Sequence, residues 1–463
     1  MKNVKHHPEQ KGSHEPMISG SVTKLFLRYL FPSVMATLLI AGNYLIDTIC
    51  VGLKVGETGL AALNVVVPVT GLMYAAGFLF SFGSSNLFSN RMGEGKETTA
   101  RQYYGTATVS LAVFSALVMI PGLVFNDQIS YFLCAGAPFY EMSAEYLWYV
   151  FLFTPFYCFE TYYGVYMRND GAPMFSMLGT VCTCSTNIIL DILFVWVFDW
   201  GMMGASLATG IALVIGFAVV FSGTLRKASQ LKVWQCGVNF RLLNSILLNG
   251  APDFLREISG SMVVLIVNMI LLGISGETAV SAYGVIANLG NVVLCGLAGV
   301  SNTVQPLISF NYGAGRIDRG KKFLRLGVLT SALLASGYVV FAELFPDVLV
   351  SAFLDAPTAE LAFLCRDGIR IISPGYVFAG ISIVLNIYFE AVYAPGEAFW
   401  IAMIRGLVAP IICIAVFVSL LDVPGVWISF LAAELSSLLT AILLYRKVNK
   451  SILSEKHFFT QNE

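Results

Sequence analysis

From Leu25 onward the chain alternates long apolar runs with short polar breaks. Runs of this kind fall at about 25–53, 60–84, 101–124, 141–163, 173–198, 203–224, 253–274, 279–306, 322–342, 360–391, 397–421 and 425–447. Each is long enough to cross roughly 30 Å of hydrocarbon at about 1.5 Å per residue. A helix satisfies its own backbone hydrogen bonds, which lipid cannot do, so the pattern predicts twelve transmembrane α-helices. Residues 1–24 are polar and of mixed charge, without the apolar stretch and cleavage site of a secretory signal. The expected organisation is an N-terminal tail over 1–24, an N-lobe over 25–224, a basic linker over 225–252, a C-lobe over 253–447 and a C-terminal tail over 448–463.

Two halves are expected because short motifs recur in order. Gly56-Glu57-Thr58-Gly59 returns as Gly276-Glu277-Thr278-Ala279, and Pro32 as Pro252, both at an offset of 220. Gly93-Glu94-Gly95 returns as Gly313-Ala314-Gly315, Ala172-Pro173 as Ala394-Pro395, and Gly201 as Gly425, at offsets of 220 to 224. Each half holds six spans, so both begin on one side of the membrane and the repeats are parallel, one of the known transporter designs. Charge follows the same topology. Assigned to the nearer face, 24 of the 27 Lys and Arg residues fall on the side of the tails, leaving Lys54, Arg366 and Arg370 outside. The outer breaks instead carry Glu57, Asp127, Asp199, Glu277, Asp347, Asp355 and Asp422. By the positive-inside rule both termini are cytoplasmic, and the chain is expected in the cell membrane.

Composition removes other classes. Hydrophobic residues make up 57% and charged residues 12% of the chain, about half the charge of a soluble protein. A net charge of −1 with no basic domain gives nucleic acid nothing to bind. The nine cysteines, odd in number and mostly within apolar runs, read as reduced thiols. His6, His7, His14 and His457 all lie in the tails, so haem, His-ligated zinc and histidine catalysis have no residue within the spans. Two motif matches fail. Gly315-x4-Gly320-Lys321-Lys322 lacks the Ser or Thr of a phosphate-binding loop, and Cys182-x-Cys184 has no companion pair. No cofactor is expected.

The candidate chemistry lies in buried acids, which are costly in a membrane and functional by default. Asp47 lies deep in the first span and Asp191 in the fifth, and each follows an Asn by four residues, Asn43 and Asn187. That spacing puts amide and carboxylate on one helix face. Such oxygens suit Na⁺, while a carboxylate in an apolar setting can equally carry a proton. At the repeat offsets Asp47 pairs with Val267, and Asp191 with one of Cys413-Ile414-Ala415, so the acids are confined to the first half. Arg256 and Glu257, near the start of a span, are expected to snorkel, and Glu390 to sit at a turn. Pro32 shares the first span with Asp47 and can bend it. Asn43, Tyr44, Tyr157, Tyr162 and Tyr283 are candidate cavity-lining residues.

At these residues the sequence resembles the MATE (multidrug and toxic compound extrusion) family, in its bacterial DinF-like and MepA-like branch. The resemblance rests on Pro32 with Tyr44-Leu45-Ile46-Asp47-Thr48, the glycines of 93–95, Arg168-Asn169-Asp170-Gly171-Ala172-Pro173 and Asn187-Ile188-Ile189-Leu190-Asp191. It continues through Gly201-Met202-Met203-Gly204, Gln305-Pro306 and Phe310-Asn311-Tyr312-Gly313-Ala314. It implies an all-α membrane protein whose two pseudo-symmetric six-helix lobes form a V-shaped central cavity. It implies an antiporter, not an enzyme, that exports organic cations and amphipathic drugs in exchange for Na⁺ or H⁺. The coupling site it implies, including a Na⁺ site, maps to Asp47, Asp191, Asn187 and Thr209, with a bend of the first helix at Pro32. Small-molecule substrates and the lipid bilayer are the expected partners, and the protein is expected to act as a monomer. The alternative within related folds is a flippase for lipid-linked saccharides. That reading calls for a cationic cavity, and few Arg or Lys lie within the spans.

Overall fold

The computed structural model describes residues 17, 19–134, 139–232, 236–354 and 357–461. The segment holding His6, His7 and His14 lies outside the described residues. Among those described every regular element is helical. The first six spans are built from α1 (Val22–Lys54), α2 (Glu57–Gly93), α3 (Glu97–Val124), the short α4 (Asn126–Leu133), α5 (Tyr140–Leu152), α6 (Thr154–Asn169), α7 (Pro173–Asp191) and α8 (Gly201–Ser222). The second six come from α9 (Leu243–Gly313), α10 (Ile317–Leu344), the short α11 (Pro346–Ser351), α12 (Ala359–Ile372), α13 (Gly375–Ala391), α14 (Pro395–Met403), α15 (Ala409–Leu421) and α16 (Val423–Gln461). π-helical turns, Ile192–Val197 and Ile404–Val408, extend α7 and join α14 to α15.

Nine stretches among the described residues are long and apolar enough to cross a bilayer, and α12 with α13, bent by 45°, makes a tenth. Two more emerge from length alone. α9 has 71 residues, roughly 105 Å at 1.5 Å per residue, over three times the hydrocarbon thickness. It turns at Gly276, whose φ of 70° and ψ of −160° are not helical, and so makes two spans. α5 and α6, of 13 and 16 residues, are each too short to cross but continue one another through Phe153. The total is the twelve spans expected.

The backbone repeats itself between the halves. Among the described residues nine have positive φ, and eight of them fall into four pairs: Gly56 with Gly276, Gly95 with Gly315, Gly171 with Tyr393, and Asp199 with Asp422. The offsets run from 220 to 223, as the motifs predict. Left-handed backbone is unfavourable for a side chain such as that of Tyr393. Its recurrence there shows that the turn geometry is kept even where the glycine is not.

Contacts divide the chain into two compact units. One runs to Gly250 and includes Pro306–Phe323; the other comprises Ala251–Gln305 and the chain from Leu324 onward. In the first unit the usual burial is reversed. Large apolar residues such as Leu117, Val113 and Phe31 are exposed, as lipid allows, while Ser81, Ser84, Ser85, Asn86, Ser89 and Asn90 of α2 are buried. Tyr166 donates to Ser84 at 2.7 Å, Ser89 to Asn169 at 2.6 Å and Ser309 to Asn86 at 3.0 Å. These bonds bind α2 to α6 and to the end of α9 where lipid offers no alternative partner. The second unit is held by an apolar core that includes Val267, Leu271, Ile414 and Trp427.

Small residues set how closely α2 and the start of α9 approach. A Cβ at Gly250 would collide with the Leu79 carbonyl, and one at Gly83 with the Ile246 carbonyl. Gly273 faces open space. Gly250→Val is expected to abolish recovery of a monodisperse protein in fluorescence-detected size exclusion. Gly273→Ala removes a mid-helix glycine and is expected to leave the melting temperature unchanged or raise it, by about 1 kcal/mol of stability at most. Equal behaviour of the two variants would refute close helix approach as the constraint.

Candidate functional site

Four helices of the first unit bring polar side chains to one level. Asp47 lies seven residues before the end of α1 at Lys54, roughly 10 Å at 1.5 Å per residue. Asp191 closes α7, six residues before the π turn ends at Val197, roughly 9 Å. Thr209 lies eight residues into α8 and Tyr146 six residues into α5, again about 9–12 Å from the helix ends. All four ends are those remote from Val22, so the acids sit toward one end of the unit and not at mid-span.

The Asn spacing read from the sequence does what it predicts. Asn43 Nδ2 donates to Asn187 Oδ1 at 2.7 Å, and Asn187 Nδ2 donates to Thr209 Oγ1 at 3.3 Å. This chain ties α1 to α7 and α7 to α8, and Thr209 in turn donates to the Ala205 carbonyl at 3.1 Å. One turn further along each helix, Asp47 and Asp191 are close enough for their carboxyls to interact. Asp191 is fully buried, and among the described residues neither of its oxygens receives a hydrogen bond from a conventional donor. Asp47 is half-buried and its Oδ1 is likewise without a donor. Two carboxylates cannot bond to each other unless a proton or a metal ion stands between them. The π turn that follows Asp191 departs from regular α-helix, as often happens at functional positions.

The other predicted residues are dispersed. Tyr157 is buried and near Asp47. Tyr44 is 47% exposed on α1. Tyr162 is fully buried in a tyrosine cluster, its hydroxyl donating to the Tyr104 carbonyl at 3.1 Å and sharing a 2.9 Å bond with Thr108. Tyr283 belongs to the other unit, where it stacks on Trp427 with ring centroids 6.3 Å apart. Pro32 is buried within α1, which runs through it unbroken. It lies fifteen residues, roughly 22 Å, from Asp47.

Several residues escaped the sequence reading. Tyr146 is buried beside the Thr209 hydroxyl and near both acids; within the aromatic run Tyr146-Leu147-Trp148-Tyr149 nothing marks it out. Glu160, on α6 with Thr183 Oγ1 at 3.5 Å, is an acid within a predicted span and carried its own signal. In the second unit Asp253 is fully buried and pairs with Arg256 at 2.7 Å. Arg256 therefore has a partner within the unit instead of only reaching outward. Glu390 is also fully buried and accepts from Asn386 at 2.9 Å. Asp253 escaped because a span beginning at 253 makes it a terminal residue, whereas α9 begins ten residues earlier at Leu243.

The motif Arg168-Asn169-Asp170-Gly171-Ala172-Pro173 has a structural use. Asp170 accepts from Arg226 Nη2 and from the Gln230 backbone N–H, both at 2.9 Å, and so pins the segment after α8 against the turn between α6 and α7. Burial raises its carboxyl to about 6, against the pull of hydrogen bonds from Ser229 and Gln230 and the charge of Arg226.

Comparison with known proteins agrees with this architecture. The MatE family profile matches residues 32–193 and 252–421, segments that begin 220 positions apart. The multidrug export protein MepA of Staphylococcus haemolyticus (strain JCSC1435) is 24% identical over 439 residues, covering 93% of this chain and 95% of that protein. MepA of Staphylococcus aureus (strain MSSA476) is 25% identical over 432 residues, covering 91% and 93%. Among solved structures, the crystal structure of a MATE in complex with MaL6 superposes with a TM-score of 0.90 at 18% identity, over 96% of this chain and 99% of that one. An outward-facing multidrug resistance MATE transporter superposes with a TM-score of 0.89 at 19% identity, over the same shares. With the doubled six-helix scaffold in place, and the family profile matched in both halves, the chain belongs to the MatE family, the multidrug and toxic compound extrusion transporters.

Proposed function

We propose that this protein is a multidrug efflux antiporter that expels organic cations and amphipathic drugs in exchange for Na⁺ or H⁺. The observation that carries the reading is the pair of half-buried Asp47 and fully buried Asp191, with no donor to satisfy Asp191 among the described residues. Such a pair is stable only when a cation occupies it. A proton lets one carboxyl donate to the other. A Na⁺ ion would take both carboxylates with the neutral oxygens of Asn187 and Thr209 as ligands. The relatives named for multidrug export supply the substrate class.

On this reading the first unit is the ion-coupling half. The position equivalent to Asp47 in the second unit, Val267, is a buried member of its apolar core, as is Ile414, one of the three positions 413–415 that pair with Asp191 in the repeat. Occupancy of the carboxyl pair sets the tension that Asn43, Asn187 and Thr209 exert between α1, α7 and α8. The change is relieved by bending at Pro32, where the ring removes a backbone hydrogen bond from the helix. Both termini face the cytoplasm of the cell membrane, as the 24 basic residues on that side support. Tyr157, near the acids, is the lining residue favoured among the predicted tyrosines.

Transport in proteoliposomes tests the coupling, with the Na⁺ and pH gradients imposed separately. Wild type is expected to accumulate a fluorescent organic cation when one of the two gradients is applied alone. Asp191→Asn and Asp47→Asn are each expected to abolish accumulation while leaving expression and the size-exclusion profile intact. Gradient-driven pumping by the doubly substituted protein would remove the pair from the mechanism.

The neutral shell gives a graded outcome. Tyr146→Phe deletes the hydroxyl beside Thr209 without opening space. A lost hydrogen bond of about 1 kcal/mol should shift the half-saturating concentration of the coupling ion roughly fivefold and spare the maximal rate. A reduced maximal rate at unchanged ion affinity would argue that Tyr146 supports substrate movement instead of the ion site.

A further inference from the structure

The carboxyl pair lies toward the helix ends remote from Val22, so a proton that leaves it for the opposite end has most of α7 to travel. From Asp191 back to Pro173 that distance is roughly 27 Å at 1.5 Å per residue. One face of α7 is polar along all of it. Ser176, Thr180, Thr183, Asn187 and Asp191 follow one another at steps of three or four residues, which at about 100° per residue keeps them within roughly 80° of the helix surface. Thr183 is half-buried and the other four are buried. At the far end Arg168 of α6 donates to the Ser176 hydroxyl at 3.1 Å. Thr180 and Thr183 donate to carbonyls of their own helix at 3.2 and 3.1 Å. Hydroxyls of that kind join membrane helices and need no further role.

Glu160 is different, because a carboxyl within a span is costly unless it has a use. Its Oε1 lies 3.5 Å from the Thr183 hydroxyl, and a Cβ at Gly216 of α8 would collide with that same hydroxyl, so α6, α7 and α8 meet at this point. Thr183 is eight residues, roughly 12 Å, before Asp191, and Glu160 is nine residues, roughly 14 Å, before the end of α6 at Asn169. The carboxyl thus stands about midway between the pair and the opposite end. Among the described residues it forms no ion pair. The ionisable groups that reach it are Arg168 of its own helix and the Cys184 thiol of α7. Arg168 is 8% exposed, and among the described residues its Nε lacks a partner and no carboxylate pairs with it. α8 has no ionisable side chain. Tyr74 of α2 packs edge-on against Tyr157, Tyr104 of α3 donates to Tyr163 at 3.1 Å, and Tyr146 of α5 lies beside Thr209. Glu160 can therefore gain or lose a proton without breaking an ion pair.

We propose that Glu160 is an intermediate proton acceptor, which takes the proton released by the Asp47–Asp191 pair and passes it along the polar face of α7 toward the Arg168 end. The proposal rests on the coupling role of the pair and commits that role to H⁺. In the first step the O–H bond of the protonated carboxyl breaks, water carries the proton past Asn187 and Thr183, and an O–H bond forms on the Glu160 carboxylate. In the second step Glu160 returns the proton to water on the far side. No charge is left behind, because the pair and Glu160 each end as they began once the pair is reloaded. A carboxyl halfway divides one long transfer through a low-dielectric region into two shorter ones, and Thr183 positions it by offering a hydroxyl at the turn where three helices meet.

The test separates how many protons are bound from how fast they move, using the full-length protein and tetraphenylphosphonium as probe. In weakly buffered detergent solution, the protons released on probe binding count the occupancy of the pair. In proteoliposomes, the initial rate of uptake under a pH gradient alone reports net proton flow, and probe-for-probe exchange without a gradient reports substrate movement alone. Glu160→Gln is expected to slow gradient-driven uptake about tenfold or more while leaving the number of protons released and the exchange rate unchanged. Glu160→Asp should recover part of the rate, and Thr183→Val, which keeps the carboxyl, should slow uptake less than Glu160→Gln. Unchanged gradient-driven uptake in Glu160→Gln overturns the proposal. So does a lower number of protons released, which would make Glu160 a terminal binding site, and so does an equal loss of exchange, which would place it on the substrate path. Wild-type uptake driven by Na⁺ alone overturns the relay but leaves the pair as a Na⁺ site. Undiminished proton release from Asp47→Asn/Asp191→Asn strikes the pair itself, and the relay with it.

Discussion

Lipid neither donates nor accepts a hydrogen bond, and that constraint orders the first unit of this protein. Every polar side chain carried into the bilayer must find its partner on another helix or remain costly. The serines and asparagines of α2 meet this condition by bonding to α6 and to the end of α9. Asn43, Asn187 and Thr209 meet it by bonding to one another across three helices. Asp191 does not meet it: it is fully buried with both oxygens lacking a donor among the described residues. Asn43 Oδ1 and the Ser33 and Ser130 hydroxyls are also buried without a partner among the described residues, but Asp191 is the fully buried acid of the first unit that has neither a donor nor a countercharge among them. On the proposed reading, the carboxyl pair is completed by a cation from outside.

The helical scaffold was legible because hydrophobic run length, charge asymmetry and motif recurrence are independent and agree. The repeat offset seen in Gly56 and Gly276 reappears as matched left-handed backbone, and it extends to Gly171 and Tyr393, where the residue types differ. Sequence matching could not have found that pair, because the shared property is a dihedral angle. Span boundaries were less legible. α9 begins at Leu243, well before its most apolar stretch, so Asp253 resembled a helix-end residue when it is an interior one.

For the site, the acids and their asparagines were readable because an ionisable residue in an apolar run is conspicuous and an i,i+4 spacing fixes a shared face. Thr209 came only through family resemblance, since a threonine in a helix of small residues is ordinary. Tyr146 was not readable at all. Its role depends on which side of α5 faces α8, and α5 is aromatic on both sides, with Tyr146 turned inward and Trp148 outward. Tyrosines as a class were a poor guide: Tyr162 spends its hydroxyl on Tyr104 and Thr108, and Tyr283 packs on Trp427 in the other unit.

The contrast between the halves bears on how a doubled scaffold does one job. Duplication gives two six-helix units with the same turns, yet the positions equivalent to the acids hold Val267 and a run containing Ile414, both within an apolar core. An apolar core is close-packed and resists rearrangement, because any shift opens voids on one side and clashes on the other. A polar network of three hydroxyl and amide groups around an ion is different, since its bonds can be exchanged when the ion enters or leaves. The second unit carries ionic contacts too, Asp253 with Arg256 and Arg405 with Glu434 at 2.9 Å, but these bring their own countercharge and need no ion from solution. Among the described residues neither Asp47 nor Asp191 has such a countercharge. On the proposed reading that asymmetry is what lets a nearly symmetric protein respond to a cation in a single place.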